Sequence, residues 1–286
     1  MNTETQRYLA WDTSTPTGVV AAFEINAGKK RLVAEWTLSL ETSKHSERLL
    51  WTIDVILQSA GWPMDSLSGL VIGTGPGSFT GIRIGITCAR MLAMQLKIPI
   101  IPVSSLALLA RPTAEGVLTS ALNSKTAQKT AQKALVIACN DATKGEWFTL
   151  MGSAKGVRDC IIPAEENQSG AWARTVKERA MTPDEVIQEA KAYLKKNGNS
   201  TPWIAIGQSV ERYPDVFKTL PSKNRISLMY PFLHQPQARY LVQLGWEAIQ
   251  QGIQRDSLNV FPRYLRDSDA EVKLKKGLLK QAPGRA

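Results

Sequence analysis

Gly73-Thr74-Gly75-Pro76-Gly77-Ser78-Phe79-Thr80-Gly81-Ile82-Arg83-Ile84-Gly85 lies between a short apolar run, Leu70-Val71-Ile72, and a segment extending to Leu96. In that segment Ile82, Gly85, Ile86, Ala89, Ala93 and Leu96 recur at helical spacing, so the stretch reads as strand, glycine loop, then helix. Such glycine density permits backbone conformations and close approaches that side chains would forbid. Amides at the start of a helix can face an anion; a loop used for tight packing accounts for the same residues. No Gly-Lys-Ser or Gly-Lys-Thr follows, and the spacing is not Gly-x-Gly-x-x-Gly, so neither common phosphate-binding fingerprint is met.

Upstream, Tyr8 to Trp11 forms a strand that stops at Asp12-Thr13-Ser14-Thr15-Pro16-Thr17-Gly18. Val19 to Ile25 and Arg31 to Leu40 follow, joined by Asn26-Ala27-Gly28, which implies a three-stranded antiparallel meander. Leu49, Leu50, Ile53, Ile56 and Leu57 then mark an amphipathic helix with Ser43 or Ser46 as its cap. Downstream, Ile98 to Val103 is a strand and Ser104 starts a helix. Arg111 to Lys133, rich in Ala, Thr, Ser, Lys and Gln with Lys-Thr-Ala-Gln repeated at 125–128 and 129–132, reads as an insertion or connector with marginal helicity. Strands at Ala134–Ala138, Trp147–Met151 and Trp203–Ile206 and helices at Pro183–Lys196 and Gln237–Gln251 complete an α/β pattern in two lobes. The expected division is 1–110, 111–235 with the insertion at 111–133, and 236–286 as a helix and basic tail.

The chain has 286 residues, 43% of them hydrophobic and 21% charged, which suits a globular core and excludes disordered and fibrous classes. A formal charge of +10 makes a polyanion a reasonable partner, although Arg266, Lys273, Lys275, Lys276, Lys280 and Arg285 concentrate part of it in the tail. Cys88, Cys139 and Cys160 have no paired spacing, which points to a reducing cytoplasm. No secretory signal and no run of about 20 apolar residues is present, so membrane insertion is not expected.

Asp12, at a strand end beside hydroxyls, can hold a metal while Thr13 and Ser14 cradle phosphate; an Asx turn is the alternative use of the same residues. With Gly75 and Gly77 these are the candidate nucleotide-binding positions. His45 and His234 are the two histidines. They are far apart, which excludes a His-rich metal site, and both read as capping or structural groups. No cysteine has a neighbouring base, so a thiolate nucleophile is not indicated.

Four segments in order carry a resemblance: Leu9-Ala10-Trp11-Asp12-Thr13-Ser14-Thr15, His45-Ser46-Glu47-Arg48-Leu49-Leu50, the glycine stretch 73–85, and Ile98-Pro99-Ile100-Ile101-Pro102-Val103-Ser104-Ser105-Leu106. Together they resemble the TsaB (YeaZ) family of the tRNA threonylcarbamoyladenosine (t6A) machinery, strongly over residues 8 to about 110. Later, Asp141-Ala142-Thr143-Lys144-Gly145-Glu146-Trp147-Phe148 is similar to a family segment with arginine where Thr143 stands, and Pro262-Arg263-Tyr264-Leu265-Arg266 is similar to its closing motif.

The resemblance implies an actin-like fold with two ribonuclease H-like lobes. It also implies a non-catalytic role, because the catalytic sibling TsaD carries a His-x-x-x-His iron site where this chain has Ser105 and Leu109, and neither replaces an imidazole. Implied partners are TsaD, the ATPase TsaE and, through the complex, tRNA, with a homodimer in TsaD's absence. No cofactor is required, ATP or ADP being a candidate at the complex interface. The expected partner-contact residues are His45, Leu49 and Ile53 on one helix and Gly81, Gly85, Ala89 and Ala93 on the next, whose four-residue spacing allows a helix to approach closely. The competing class is an independent actin-like ATPase or kinase using Asp12 and the 73–81 loop, which needs a second phosphate loop, best sought at Ile206-Gly207-Gln208-Ser209. A protease reading lacks a nucleophile and base.

Overall fold

A computed structural model describes residues 4–39, 45–120, 124–161, 176–198, 200–226 and 231–266. The first sheet contains β1 (Gln6–Asp12), β2 (Thr17–Asn26), β3 (Lys29–Ser39), β4 (Gly69–Gly73) and β5 (Ile100–Val103) in the order β3-β2-β1-β4-β5. β1, β2 and β3 are an antiparallel meander, and β4 and β5 run parallel to β1. The second sheet repeats the plan with β6 (Leu135–Asp141), β7 (Trp147–Ser153), β8 (Lys177–Met181) and β9 (Trp203–Ile206) in the order β8-β7-β6-β9, β9 lying parallel to β6.

Each central strand is apolar on both faces because both faces are covered. Leu9 and Trp11 of β1 pack against α1 (His45–Ala60) and α2 (Phe79–Leu96), while Tyr8 and Ala10 lie on the opposite face, which a helix from late in the chain covers; α3 (Ser105–Thr119) packs on β6 and β7 of the second sheet. Before β6 and after β7 respectively, α4 (Lys125–Lys133) and the short α5 (Ala154–Asp159) pack together beside α3. On the outer face of the second sheet, α6 (Pro183–Asn197) covers Leu135, Ile137 and Cys139. Its start is locally encoded: Thr182 and Glu185 form a reciprocal capping box, and Pro183 needs no amide at that position. The short α7 (Gln208–Arg212) follows β9, and α8 (Ala238–Gln250), late in the chain, returns to the first sheet.

One core therefore joins the lobes, with Val71 and Ile101 of the first sheet, Leu106 and Leu109 of α3, Leu241 and Leu244 of α8, and Val136 and Ile206 of the second sheet in a single apolar cluster. Within it Arg111, 3% exposed, donates to Glu115 from Nε and to Glu247 of α8 from Nη1, at 2.9 Å, and from Nη2.

The expected strands and the helices at 183–196 and 237–251 are present, with ends shifted by a few residues. The reading of 111–133 is corrected. Arg111 to Thr119 is the second half of α3, with Arg111, Thr113 and Ala114 buried, and Pro112 is accommodated inside the helix. Lys125–Lys133 is a helix with Ser124 as its cap. The 110/111 boundary thus falls inside α3. Strand β8 was not foreseen, because Lys177-Glu178-Arg179 reads as surface. The helix cap at Ser43 and the tail beyond 266 lie outside the described residues.

Glu247→Ala leaves a buried guanidinium with only Glu115 as a partner. We expect a loss of about 3 kcal/mol in urea unfolding, since removing the two-pronged partner leaves the buried charge only partly compensated.

Candidate functional site

Asp12 ends β1 and is fully buried. Its Oδ1 accepts from the Ser14 amide at 2.9 Å and from the Ser14 hydroxyl at 2.6 Å, and its Oδ2 accepts from the Ser105 hydroxyl. The carboxylate lies across the end of β4, where a Cβ on Gly73 would come within 1.7 Å of Oδ2, so no other residue fits there. Ser105, at the first position of α3, also accepts from the Gly75 amide at 3.0 Å, and its own amide donates to the Gly75 carbonyl at 3.0 Å. The glycine loop folds back on the Asp12 turn: Ser78 N–H donates to Ser14 O, and Gly77 packs on Ser14. The candidate set Asp12, Thr13, Ser14, Gly75 and Gly77 is thus brought together, but in the Asx-turn arrangement, with the Ser14, Gly75 and Ser78 amides bonded within the chain.

The second lobe has an equivalent junction at Gly207. Its amide donates to His234 Nδ1 at 3.0 Å and the Gln208 amide donates to Asn140 Oδ1 at 3.3 Å, so the sought second phosphate loop is also bonded internally. Burial pushes the His234 imidazole below its ordinary pKa, which favours the neutral form that can accept. His45 starts α1; its side chain is outside the described residues. Burial raises the thiols of Cys88 to about 11 and Cys139 to about 12, and Cys160 further still, as for inert structural cysteines.

A strap at 255–266 closes the cleft between lobes. Arg255 exchanges backbone hydrogen bonds with Ile100, covering the edge of β5, and Arg263 N–H donates to Thr74 O of the glycine loop at 2.8 Å. From the strap Arg263 reaches Glu178 of β8 at 3.3 Å, and Arg266 donates to the carbonyls of Ala142 and Thr143. The turn at Thr143 therefore meets the closing motif through its backbone. Glu178, buried under the strap, also accepts from the Ser104 hydroxyl; burial pushes its carboxyl up to about 7 despite Arg263 and Ser104.

The small-residue face of α2 is corrected from partner contact to internal packing. A Cβ on Gly81 would meet Thr13 O at 2.0 Å and one on Gly85 would meet Thr13 Oγ1 at 2.4 Å, while Ala89 and Ala93 are buried in the same core as Leu49 and Ile53. Trp11 Nε1–H donates to Gly85 O at 3.1 Å, and the Thr13 hydroxyl donates to Gly81 O at 2.7 Å. Helix α2 thereby docks on the end of β1. Exposed apolar side chains lie on α1 and α2: Leu50 beside Met91 at 50%, Met94 at 64% and on to Leu258, with Trp51 at 56% on α1 against Trp36 of β3. Leu49, Leu50, Arg83, Ile84, Thr87, Cys88 and Met91 line an apolar groove of about 340 Å³ between α1 and α2. The sequence carried a signal for it, since Ile84, Thr87, Met91 and Met94 form a second helical stripe beside the buried one.

Two sheets sharing the order 3-2-1-4, each begun by a meander, the first packed on α8 and the second on α3 with those helices in one core, define a duplicated ribonuclease H-like, actin-like two-lobe α/β protein. The family model described as "TsaD: tRNA N6-adenosine threonylcarbamoyltransferase" matches residues 39–274, and the chain belongs to that family. Several similar curated proteins carry the name TsaB. "tRNA threonylcarbamoyladenosine biosynthesis protein TsaB" of Haemophilus influenzae is 28% identical over 93% of this chain and 96% of its own length. The Escherichia coli protein of that name is 28% identical over 94% and 98%. The solved structure of YeaZ from Pseudomonas aeruginosa, at 22% identity, superposes with a TM-score of 0.63 over 91% of this chain and 100% of its own, a likeness of fold.

Ser105→Ala strips a donor from Asp12 Oδ2 and an acceptor from the Gly75 amide, and should destabilise the protein by about 1–3 kcal/mol in urea unfolding. Glu178 sets a pH dependence. Folded, it keeps its proton to about pH 7, whereas the unfolded chain ionises it near the ordinary 4.5, so its contribution to stability is complete below 4.5 and is lost as pH rises toward 7. Thermal melts at pH 5 and 7.5 should show this decline in the wild type and a flatter profile in Glu178→Gln.

Proposed function

We propose that this chain is a non-catalytic partner subunit of the t6A modification machinery, binding and supporting a TsaD homologue, acting with a TsaE homologue, and meeting tRNA through that complex. The observation that carries it is the state of Ser105 and Leu109. The Ser105 hydroxyl is engaged with Asp12 and Gly75, and Leu109 is buried in the joint core, so the positions matching the sibling's metal-binding histidines offer no nitrogen donor. These residues do not fit an iron ion, and no chemical step is assigned to one.

A subunit without such chemistry acts through contact, and the exposed side chains of Leu50, Trp51, Met91 and Met94 support that role. Exposed apolar side chains of this size mark association surfaces, and aromatic anchors dominate their energetics. On this reading the same surface forms a homodimer when the chain is alone. The chain needs no cofactor of its own, and ATP or ADP belongs at the interface of the complex. The independent ATPase reading is disfavoured by the internal bonding of the Gly75, Gly207 and Gln208 amides. A cytoplasmic site agrees with three free buried cysteines and, among the described residues, with no helix long and apolar enough to cross a membrane.

Gel filtration of the purified chain with the TsaD homologue should give a heterodimer. Trp51→Glu and Met91→Glu, both at exposed positions, should each weaken it by about 2 kcal/mol, roughly 30-fold in Kd, with the melting temperature unchanged. Modified tRNA made by this chain with no companion present would sink the proposal.

A further inference from the structure

The lysine repeat on α4, which the partner-binding surface leaves unexplained, continues into a basic groove on the second lobe. Lys125, Lys129 and Lys133 are all exposed, four residues apart on a helix that has no acidic residue and buries only Ala131. Their Cα atoms follow one another about 6 Å apart along the axis, and like charges at that spacing repel and weaken the helix. The Tyr193 hydroxyl donates to Lys133 O at 3.0 Å, setting the end of α4 beside α6. There Lys177 and Arg179 of β8 and Tyr193, Glu189 and Lys196 of α6 line a groove of about 270 Å³. Alternation along β8 puts Lys177 and Arg179 on the groove side while Glu178 points into the protein. Across α4 and the groove lining there are six cations and one carboxylate, Glu189, which is paired with Arg179.

We infer that this surface binds the phosphodiester backbone of RNA, independently of the α1/α2 stripe on the other lobe. A line of flexible ammonium groups suits a linear polyanion, which releases counterions on binding. Among the described residues α4 and the groove have no exposed large apolar side chain, unlike α1 and α2, so they lack the anchors that a protein interface or a membrane surface requires. Cations on an edge strand also deter strand pairing, but that role gives no account of the α4 lysines. The choice of RNA over other polyanions rests on the proposed place in tRNA modification.

The full-length chain is titrated against fluorescent unmodified tRNA at 50 and 200 mM salt. Binding should weaken steeply with salt, and the variant K125E/K129E/K133E should lose at least ~10-fold in affinity at 50 mM, with the slope of log K against log salt smaller by about 2. K177E/K196E should act in the same direction, and K125R/K129R/K133R should bind as wild type, since charge and not shape is recognised. Heterodimer formation with the TsaD homologue should be unchanged in all of them, so failure of the partner reading is seen separately from failure of this one. Wild-type affinity kept by both charge-reversed variants, or loss caused only by K273E/K275E/K276E in the tail, would overturn the assignment. So would equally tight, equally lysine-dependent binding to phosphatidylserine vesicles.

Discussion

The end of β1 is held by a single buried carboxylate. Asp12 closes its own turn through Ser14, fastens the first turn of α3 through Ser105, and lies over β4 where only glycine leaves room. A buried charge of this kind is tolerable only when its oxygens are hydrogen-bonded, so the three elements are positioned together or not at all. Ser105 passes the constraint to the glycine loop, and the loop passes it to α2, whose glycines sit on Thr13. The strand-end carboxylate and the glycine-loop amides thus meet partners within the chain.

The consequence reaches the second lobe through α3. That helix starts at the Asp12 network, carries Arg111 into the joint core, and packs between the second sheet and α8, which covers the first. The strap adds a polar tie across the same junction, from Thr74 through Arg263 to Glu178 and from Arg266 to the 142–143 turn. Two sheets that share a continuous apolar layer and a strap have little freedom to open. The two proposed surfaces are unlike: one apolar and aromatic on α1 and α2, one basic on α4, α6 and β8.

Much of the fold was readable along the chain because its elements obey local rules. The meander, the strand–loop–helix at 70–96 and the helices at 183 and 238 follow from apolar periodicity, glycine placement and caps. The continuation of α3 past Arg111 was hidden by Pro112 and by the polar composition around it, and β8 by its three charged residues. In both cases the deciding fact is a partner distant in sequence: Glu247 compensates Arg111, and Arg263 with Ser104 makes burial of Glu178 tolerable. The direction of the small-residue face of α2 was likewise undetermined, because close packing inside a lobe and close packing between chains demand the same residues.

By itself, the sequence determined most of the first-lobe elements, the two-lobe α/β class, the absence of a histidine pair at Ser105 and Leu109, and the family resemblance, all of which depend on residue identity and short spacing. Tertiary structure alone decided that the Asp12 and glycine-loop groups bond to one another, that Gly81, Gly85, Ala89 and Ala93 face inward, and that Trp51, Met91 and Met94 are exposed. The physical reason is that a hydrogen bond or a buried area belongs to pairs of residues tens of positions apart, and only the folded chain specifies which pairs meet.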